Sequence, residues 1–136
     1  MSTPNDWAAN RREAAAEHER RLIEKQETAS ARAQVLIDAF LETAATTARE
    51  PEPLQVRGYK GGHTKTTLVG WHLRQDQAVG IDTEGKFYIL TADIGLKERL
   101  RGYTPPASPP PLIIGEGGKD GESIDMAIAL DRLRRD

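Results

Sequence analysis

The feature that most constrains this chain is residues 5–50, which contain neither glycine nor proline. Thr3 can cap a helix, Pro4 suits the first helical position, and Asp6 can return a carboxylate to the cap. Pro51 then ends the run. The sequence predicts one helix, roughly 65–70 Å long if it is continuous. That is far longer than the helices of most globular domains, so we expect it to bend, break or find a partner.

The apolar pattern divides this helix into two parts. Residues 10–32 are mostly Ala, Arg and Glu, with Leu22 and Ile23 as the large aliphatic residues. After them, apolar residues recur at the three- and four-residue spacing of a packed helical face. We therefore expect residues 1–50 to form a helix with a projecting or pairing first half and a second half that packs on a sheet. The residues predicted to bind a partner are Trp7, Leu22, Leu36 and Phe40.

The remainder, residues 51–136, holds all 12 glycines and is predicted to be a small β module. Short apolar runs are typical of strands at 54–57, 65–74, 77–82 and 86–92, and their short turns favour antiparallel pairing. A helix is expected over 93–101 with Leu96 and Leu100 inward, then a Pro-rich connector over 104–111. A last strand over 112–114 and a final helix over 123–134, capped by Asp120 or Ser123, complete the module.

One face of the predicted sheet is apolar and needs a cover. Its members are Val69, Trp71, Leu73, Val79 and Ile81, with either Phe87 and Ile89 or Tyr88 and Leu90. The helical face of residues 36–41 is the expected cover. The predicted fold class is thus α+β: a long N-terminal α-helix, an antiparallel sheet of about four strands, and a short C-terminal helix.

Charge and composition exclude several classes of function. The chain has 19 Lys and Arg against 21 Asp and Glu, a net charge of −2, so it is not a globally basic nucleic-acid binder. It has no cysteine, which removes disulfides and thiol chemistry. The N-terminus lacks the apolar core of a signal peptide, and a stretch apolar enough to span a membrane is missing as well. We therefore expect a cytoplasmic protein that does not enter membranes.

A basic segment carries the alternative function, nucleic-acid binding. Its cations can contact phosphates, and the aromatic rings beside them can stack on bases. The Gly58–Lys65 loop can wrap around the nucleic-acid backbone. The candidate residues are Arg57, Tyr59, Lys60, His63, Lys65 and Arg74. The competing interpretation is a solvated hairpin loop with Trp71 in the core.

Catalysis ranks third. The Gly-rich run of residues 115–123 places Asp120 after Lys119, which departs from the phosphate-loop pattern. Ser123 does not lie in a nucleophile motif. An enzyme would need His63 or His72 joined to a carboxylate in a pocket. No cofactor is predicted, and no metal site either, because His63 and His72 lack the spacing of metal ligands and no third ligand is fixed.

Four segments resemble one known group of proteins. They are GWHL (70–73), GIDTEGKFYIL (80–90), LIIG (112–115) and GKDGES (118–123). Their order is similar to the C-terminal module of small uncharacterised actinobacterial proteins, over about residues 66–130. The resemblance implies no activity, because no function is attached to that group. It implies only that the Gly-rich run and the final helix belong to the β module.

The sequence therefore predicts a non-catalytic binding or adaptor protein that associates through its N-terminal helix. The partner is another protein or a second copy of the chain.

Overall fold

The computed structural model describes residues 4–115 and 123–135, and it confirms the predicted α+β fold class. A long helix is followed by a small β module and a short C-terminal helix. The elements are α1 (Pro4–Thr47), β1 (Glu52–Gly58), β2 (His63–His72), β3 (Val79–Asp82), β4 (Phe87–Ile89), β5 (Thr91–Ala92), α2 (Leu96–Arg101), β6 (Ile113–Ile114), β7 (Ile124–Asp125) and α3 (Met126–Asp131).

The helix α1 has 44 residues and is therefore about 66 Å long. From Asp6 to Thr28 its side chains are exposed, apart from a half-buried Ala8. Burial begins at Ala29 and becomes complete at Ala33 and Ile37, both of which are 0 % exposed. Lys25 and Gln26 already line a groove with Ile89 and Pro109, so roughly the first half of α1 extends beyond the body of the protein.

The five-stranded sheet has the order β4-β3-β2-β1-β5, and Leu90 alone separates its two outer strands in the chain. The Leu90 N–H donates to the carbonyl of Ala78 at 2.8 Å, and its own carbonyl accepts from the Arg57 N–H at 2.9 Å. The sheet therefore closes on itself as a small barrel. This splits the predicted strand 86–92 in two. Pairing of β1 with β5 is parallel, which the turn pattern did not predict.

Closure of the barrel creates two cores, one on each face of the sheet. Inside the barrel lie Leu54, Val56, Tyr88, Leu90 and Ile94. The outer face packs under α1 and α3, with Trp71, Leu73, Val79, Ile81 and Phe87 buried there. The ring of Phe40 meets that of Trp71 edge-on at 5.2 Å. Val69 and Ile89, predicted for the covered face, remain 44 % and 48 % exposed, and Ile89 lines an open groove beside Lys25 and Ala29 of α1.

The predicted inward packing of α2 is wrong. Leu96 and Leu100 are each 74 % exposed. Helix α2 is held by its backbone instead: its Glu98 carbonyl accepts from the Thr64 hydroxyl, and Ile94 just before it fills the barrel. Its N-cap is Gly95, and it ends at Gly102, a glycine with positive φ.

The C-terminal segment fastens the end of α1. Helix α3 is shorter than predicted, because residues 124–125 pair with β6 and Asp125, rather than Ser123, is the N-cap. Asp120 lies outside the described residues. The Arg135 N–H donates to the Thr47 carbonyl, and Arg135 Nε donates to the Ala48 carbonyl, both at 2.7 Å. These bonds satisfy carbonyls that the end of a helix leaves unpaired.

A buried carboxylate organises the hairpin between β3 and β4. Asp82 Oδ1 accepts the N–H groups of Glu84 and Lys86 at 3.0 and 2.9 Å, and Oδ2 accepts the Tyr88 hydroxyl at 2.9 Å. Asp82 is 8 % exposed and Tyr88 is 6 % exposed. Burial raises the pKa of Tyr88 to about 12, and its bond to Asp82 adds to the effect.

Stability should fall in alkaline solution through Tyr88. An unfolded tyrosine ionises near pH 10, whereas Tyr88 in the folded protein keeps its proton to about pH 12. Between these values the unfolded state gains charge first, so we expect a loss of roughly 2 kcal/mol. Urea unfolding at a series of pH values checks this. Tyr88→Phe should remove the alkaline loss and Tyr59→Phe should keep it. An undiminished loss in Tyr88→Phe would contradict the assignment.

Candidate functional site

One side of the free part of α1 combines basic and apolar residues. Successive helical residues turn by about 100°, so a shared side can be assigned from spacing. We call it the basic apolar face; its residues in the exposed part of α1 are Trp7, Ala8, Arg11, Ala14, Ala15, His18, Leu22, Lys25 and Gln26, and it continues through Ala29 and Arg32, where burial begins. Between residues 6 and 32, which the structure describes in full, this face holds no acidic residue. The acidic residues of this segment lie on its other sides.

The basic apolar face continues toward the residues with which α1 covers the barrel. Trp7 is 58 % exposed and Leu22 is 47 % exposed, and the Arg11 guanidinium lies 4.3 Å from the centre of the Trp7 ring. Leu36 and Phe40 are instead half-buried against the protein's own core. Of the four predicted partner-binding residues, the structure therefore leaves Trp7 and Leu22 free for a partner.

The predicted nucleic-acid residues separate into two groups. Tyr59, Lys60, His63 and Lys65 are exposed around the hairpin between β1 and β2. The other two lie near the turn after β2. The Arg57 guanidinium donates to the Asp76 carbonyl at 3.1 Å, and that of Arg74 pairs with the Asp76 carboxylate at 3.1 Å.

Helix α2 brings cations to the same hairpin, and the sequence analysis missed them. Arg99 donates to the Gly61 carbonyl at 3.1 Å, and the Tyr103 N–H donates to the Lys65 carbonyl at 2.9 Å. A groove of about 440 Å³ results, which we call the basic groove. Its lining residues are Lys65, Thr66, Thr67, Arg101, Gly102, Tyr103 and Thr104. In the sequence, the feature that could have pointed to these cations is their alternation in residues 96–101 (LKERLR).

A second cleft, of about 440 Å³, surrounds His72 at the far end of β2. The structure joins His72, not His63, to a carboxylate: His72 Nδ1 lies 3.0 Å from Glu52 Oε1. The pairing of Glu52 with Gly70 places the two side chains two residues apart on neighbouring strands. His72 Nε2 is buried and finds no hydrogen-bond partner among the described residues.

His72 and Glu52 thus meet the condition set for an enzyme, a histidine joined to a carboxylate in a pocket. Its lining side chains are Arg, Glu, Gln, Leu, Ala, Trp and the histidine itself, with no hydroxyl or thiol among them. Within residues 4–115 and 123–135, no three His, Asp or Glu side chains stand close enough to hold a metal ion. What the cleft presents is an oriented imidazole among arginine residues 49, 74 and 132.

No family model, curated protein or solved structure matches this chain. Among its described helices, none combines the length and apolarity needed to cross a membrane. Its function must therefore be argued from the surfaces themselves.

Proposed function

We propose that this protein is a non-catalytic binding protein that associates with another protein through the basic apolar face of α1. The observation that carries the proposal is the extension of α1: residues 7–24 leave the body, and their side chains are exposed apart from the half-buried Ala8. Helices in proteins draw most of their stability from the packing of an amphipathic face, and the exposed side chains of this segment receive little such packing from the body. Packing of its apolar residues against a partner supplies the stabilisation that the body of this protein does not.

The large exposed side chains suit a helix-in-groove interaction. Trp7 and Leu22 share one side of α1 and lie roughly 22 Å apart along its axis. A tryptophan near the end of a free helix, with an arginine over its ring, has the composition of an interface hot spot. The partner should therefore offer an apolar groove with a pocket at one end for an aromatic ring.

Charge indicates what borders that groove. Arg11, His18 and Lys25 follow one another at seven-residue spacing beside the apolar residues, and acidic residues are absent from this face within residues 6–32. Two copies of α1 joined by this face would oppose like charges, which is unfavourable. Acidic residues along a groove on a different protein would be complementary. We therefore propose a partner with an acidic rim rather than a second copy of this chain.

Light scattering after size exclusion tests the exclusion of self-association. The full chain should have the mass of a monomer, 15.0 kDa, at micromolar concentration. A stable dimer that Leu22→Glu dissociates would show that the face binds itself, and the proposal of a different partner would then be wrong.

Photo-crosslinking tests the face. A crosslinking amino acid at Trp7 or Leu22 of the full chain should capture a specific protein in cells, and one at Glu13 or Glu24 should not. Binding of that protein should weaken roughly 30-fold in Trp7→Ala, the effect of a hot spot worth about 2 kcal/mol. Equal capture from both sides would contradict the proposal.

Two adjacent residues provide a matched control for the binding assay. Leu22 lies on the basic apolar face and Ile23 lies off it, yet their exposed fractions are 47 % and 46 %. Leu22→Ala should weaken binding and Ile23→Ala should leave it unchanged. Equal effects would show that exposure alone, rather than the face, determines affinity.

A further inference from the structure

We propose that the basic groove between β2 and α2 binds single-stranded nucleic acid, with Lys65 and Arg101 on phosphates and Tyr103 stacked on a base. This function lies on the barrel and does not depend on the partner of α1. It uses a surface that forms only because α2 and the segment after it fold back onto β2.

Backbone contacts fix the shape of the groove. Residues 102–104 run beside β2, where the Tyr103 N–H donates to the Lys65 carbonyl at 2.9 Å. The Thr67 N–H donates to the Thr104 hydroxyl at 2.9 Å, and the two threonine hydroxyls are 3.1 Å apart. A Cβ on Gly102 would come within 2.9 Å of the Lys65 carbonyl oxygen, so glycine permits this close approach. The backbone positions of Lys65 and Tyr103 are therefore fixed relative to each other, which places the Arg101 and Lys65 side chains beside the same groove.

The charge around the groove is strongly one-sided, although the whole chain has a net charge of −2. Residues 59–67 and 96–104 together contain one acidic residue, Glu98, whose carboxylate accepts the Gly95 N–H at 3.1 Å. Their basic residues are all exposed: Lys60, Lys65, Lys97, Arg99 and Arg101. Such a cluster attracts a chain of phosphates.

The exposed aromatic residues of the protein favour a nucleic acid over other anionic ligands. Tyr59 is 72 % exposed at the hairpin and Tyr103 is 37 % exposed in the groove. Exposed rings beside cations on a small barrel are the arrangement with which proteins hold unpaired bases. An acidic protein would use the cations but would have less need of the rings. The combination therefore favours single-stranded nucleic acid.

Fluorescence anisotropy with labelled oligothymidylate and oligouridylate of about 12 nucleotides tests the proposal on the full chain. Binding should be measurable at about 50 mM NaCl and weaken steeply toward about 200 mM. In the double variant Lys65→Gln/Arg101→Gln the logarithmic salt slope should shrink by about 1.4, since each phosphate contact on a single strand contributes about 0.7. Tyr103→Leu should weaken binding roughly 5- to 100-fold by loss of stacking.

Arg20→Gln/Arg21→Gln is the matched control. It removes the same charge from the exposed part of α1, far from the barrel, and should leave both affinity and slope unchanged. Circular dichroism confirms that each variant is folded. The proposal is overturned by absence of binding at low salt, by equal loss in the control variant, or by polyglutamate competing as well as the oligonucleotide.

Discussion

Gly70→Ala is expected to unfold the barrel. A Cβ at this position would lie 1.9 Å from the carbonyl oxygen of Ile81 and 2.7 Å from the Cα of Asp82. Both are backbone atoms of β3, the strand hydrogen-bonded to β2, so no side chain can rotate to relieve the clash. The strands would have to separate, and we expect a loss of more than about 4 kcal/mol, a large share of the stability of a small domain.

Thermal unfolding followed by near-ultraviolet circular dichroism measures this effect, because Trp71 adjoins Gly70 and is buried. Gly70→Ala should lack a cooperative transition. Gly95→Ala is the control: its Cβ would meet only the flexible end of the Glu98 side chain, at 3.2 Å. That variant should melt close to the wild type. If Gly70→Ala also melts within a few degrees of the wild type, the proposed clash is absent from the protein.

Ile37→Ala is expected to have the next largest effect and to lower the free energy of unfolding by about 2–5 kcal/mol. Ile37 is 0 % exposed, and it belongs to the core between α1 and the outer face of the barrel. Its Cγ2 would come within 3.2 Å of a Cβ on Gly85, which shows how closely the helix lies on the β3–β4 hairpin. Truncation would leave a cavity that neighbouring backbone cannot fill.

Val35 supplies the control for this substitution. It is also β-branched and lies two residues away on α1, but it is 67 % exposed. Val35→Ala should change the free energy of unfolding by less than about 0.5 kcal/mol. Urea denaturation of both variants separates packing from helix propensity. Equal small effects would mean that α1 covers the barrel only loosely.

Local signals predicted the elements of this fold, and long-range geometry determined the rest. The prolines around α1 and the alternating apolar residues of β2 act on their near neighbours, so their consequences can be read along the chain. The split at Leu90 cannot be read in this way, because the run 86–92 is a good strand throughout. Only when the barrel closes does the first part of this run, β4, pair with β3 while its last part, β5, pairs with β1.

The candidate sites also divide into residues that local sequence signals identify and residues that only the folded chain brings together. Trp7 and Leu22 are exposed, whereas Leu36 and Phe40, predicted with them as partner contacts, pack against the protein's own core, because periodicity alone does not show which part of α1 the body covers. Arg101 and Tyr103 were missed, since they reach Lys65 only through the return of residues 102–104 to β2. Leu96 and Leu100 were placed wrongly for a related reason: their spacing suggests a buried stripe, whereas the backbone of α2 makes the contact.

Closure through Leu90 also bears on how this protein behaves when it is concentrated. Open sheets expose N–H and C=O groups that can template strand addition and fibril growth. Here one stretch of chain occupies both flanks of the sheet, and residues 102–104 shield the first half of β2. Within the described residues, the five-stranded sheet therefore offers a neighbouring molecule little backbone to extend. We therefore expect the folded protein to resist amyloid formation in concentrated solution. Its recognition of other molecules then depends on side chains rather than on strand pairing.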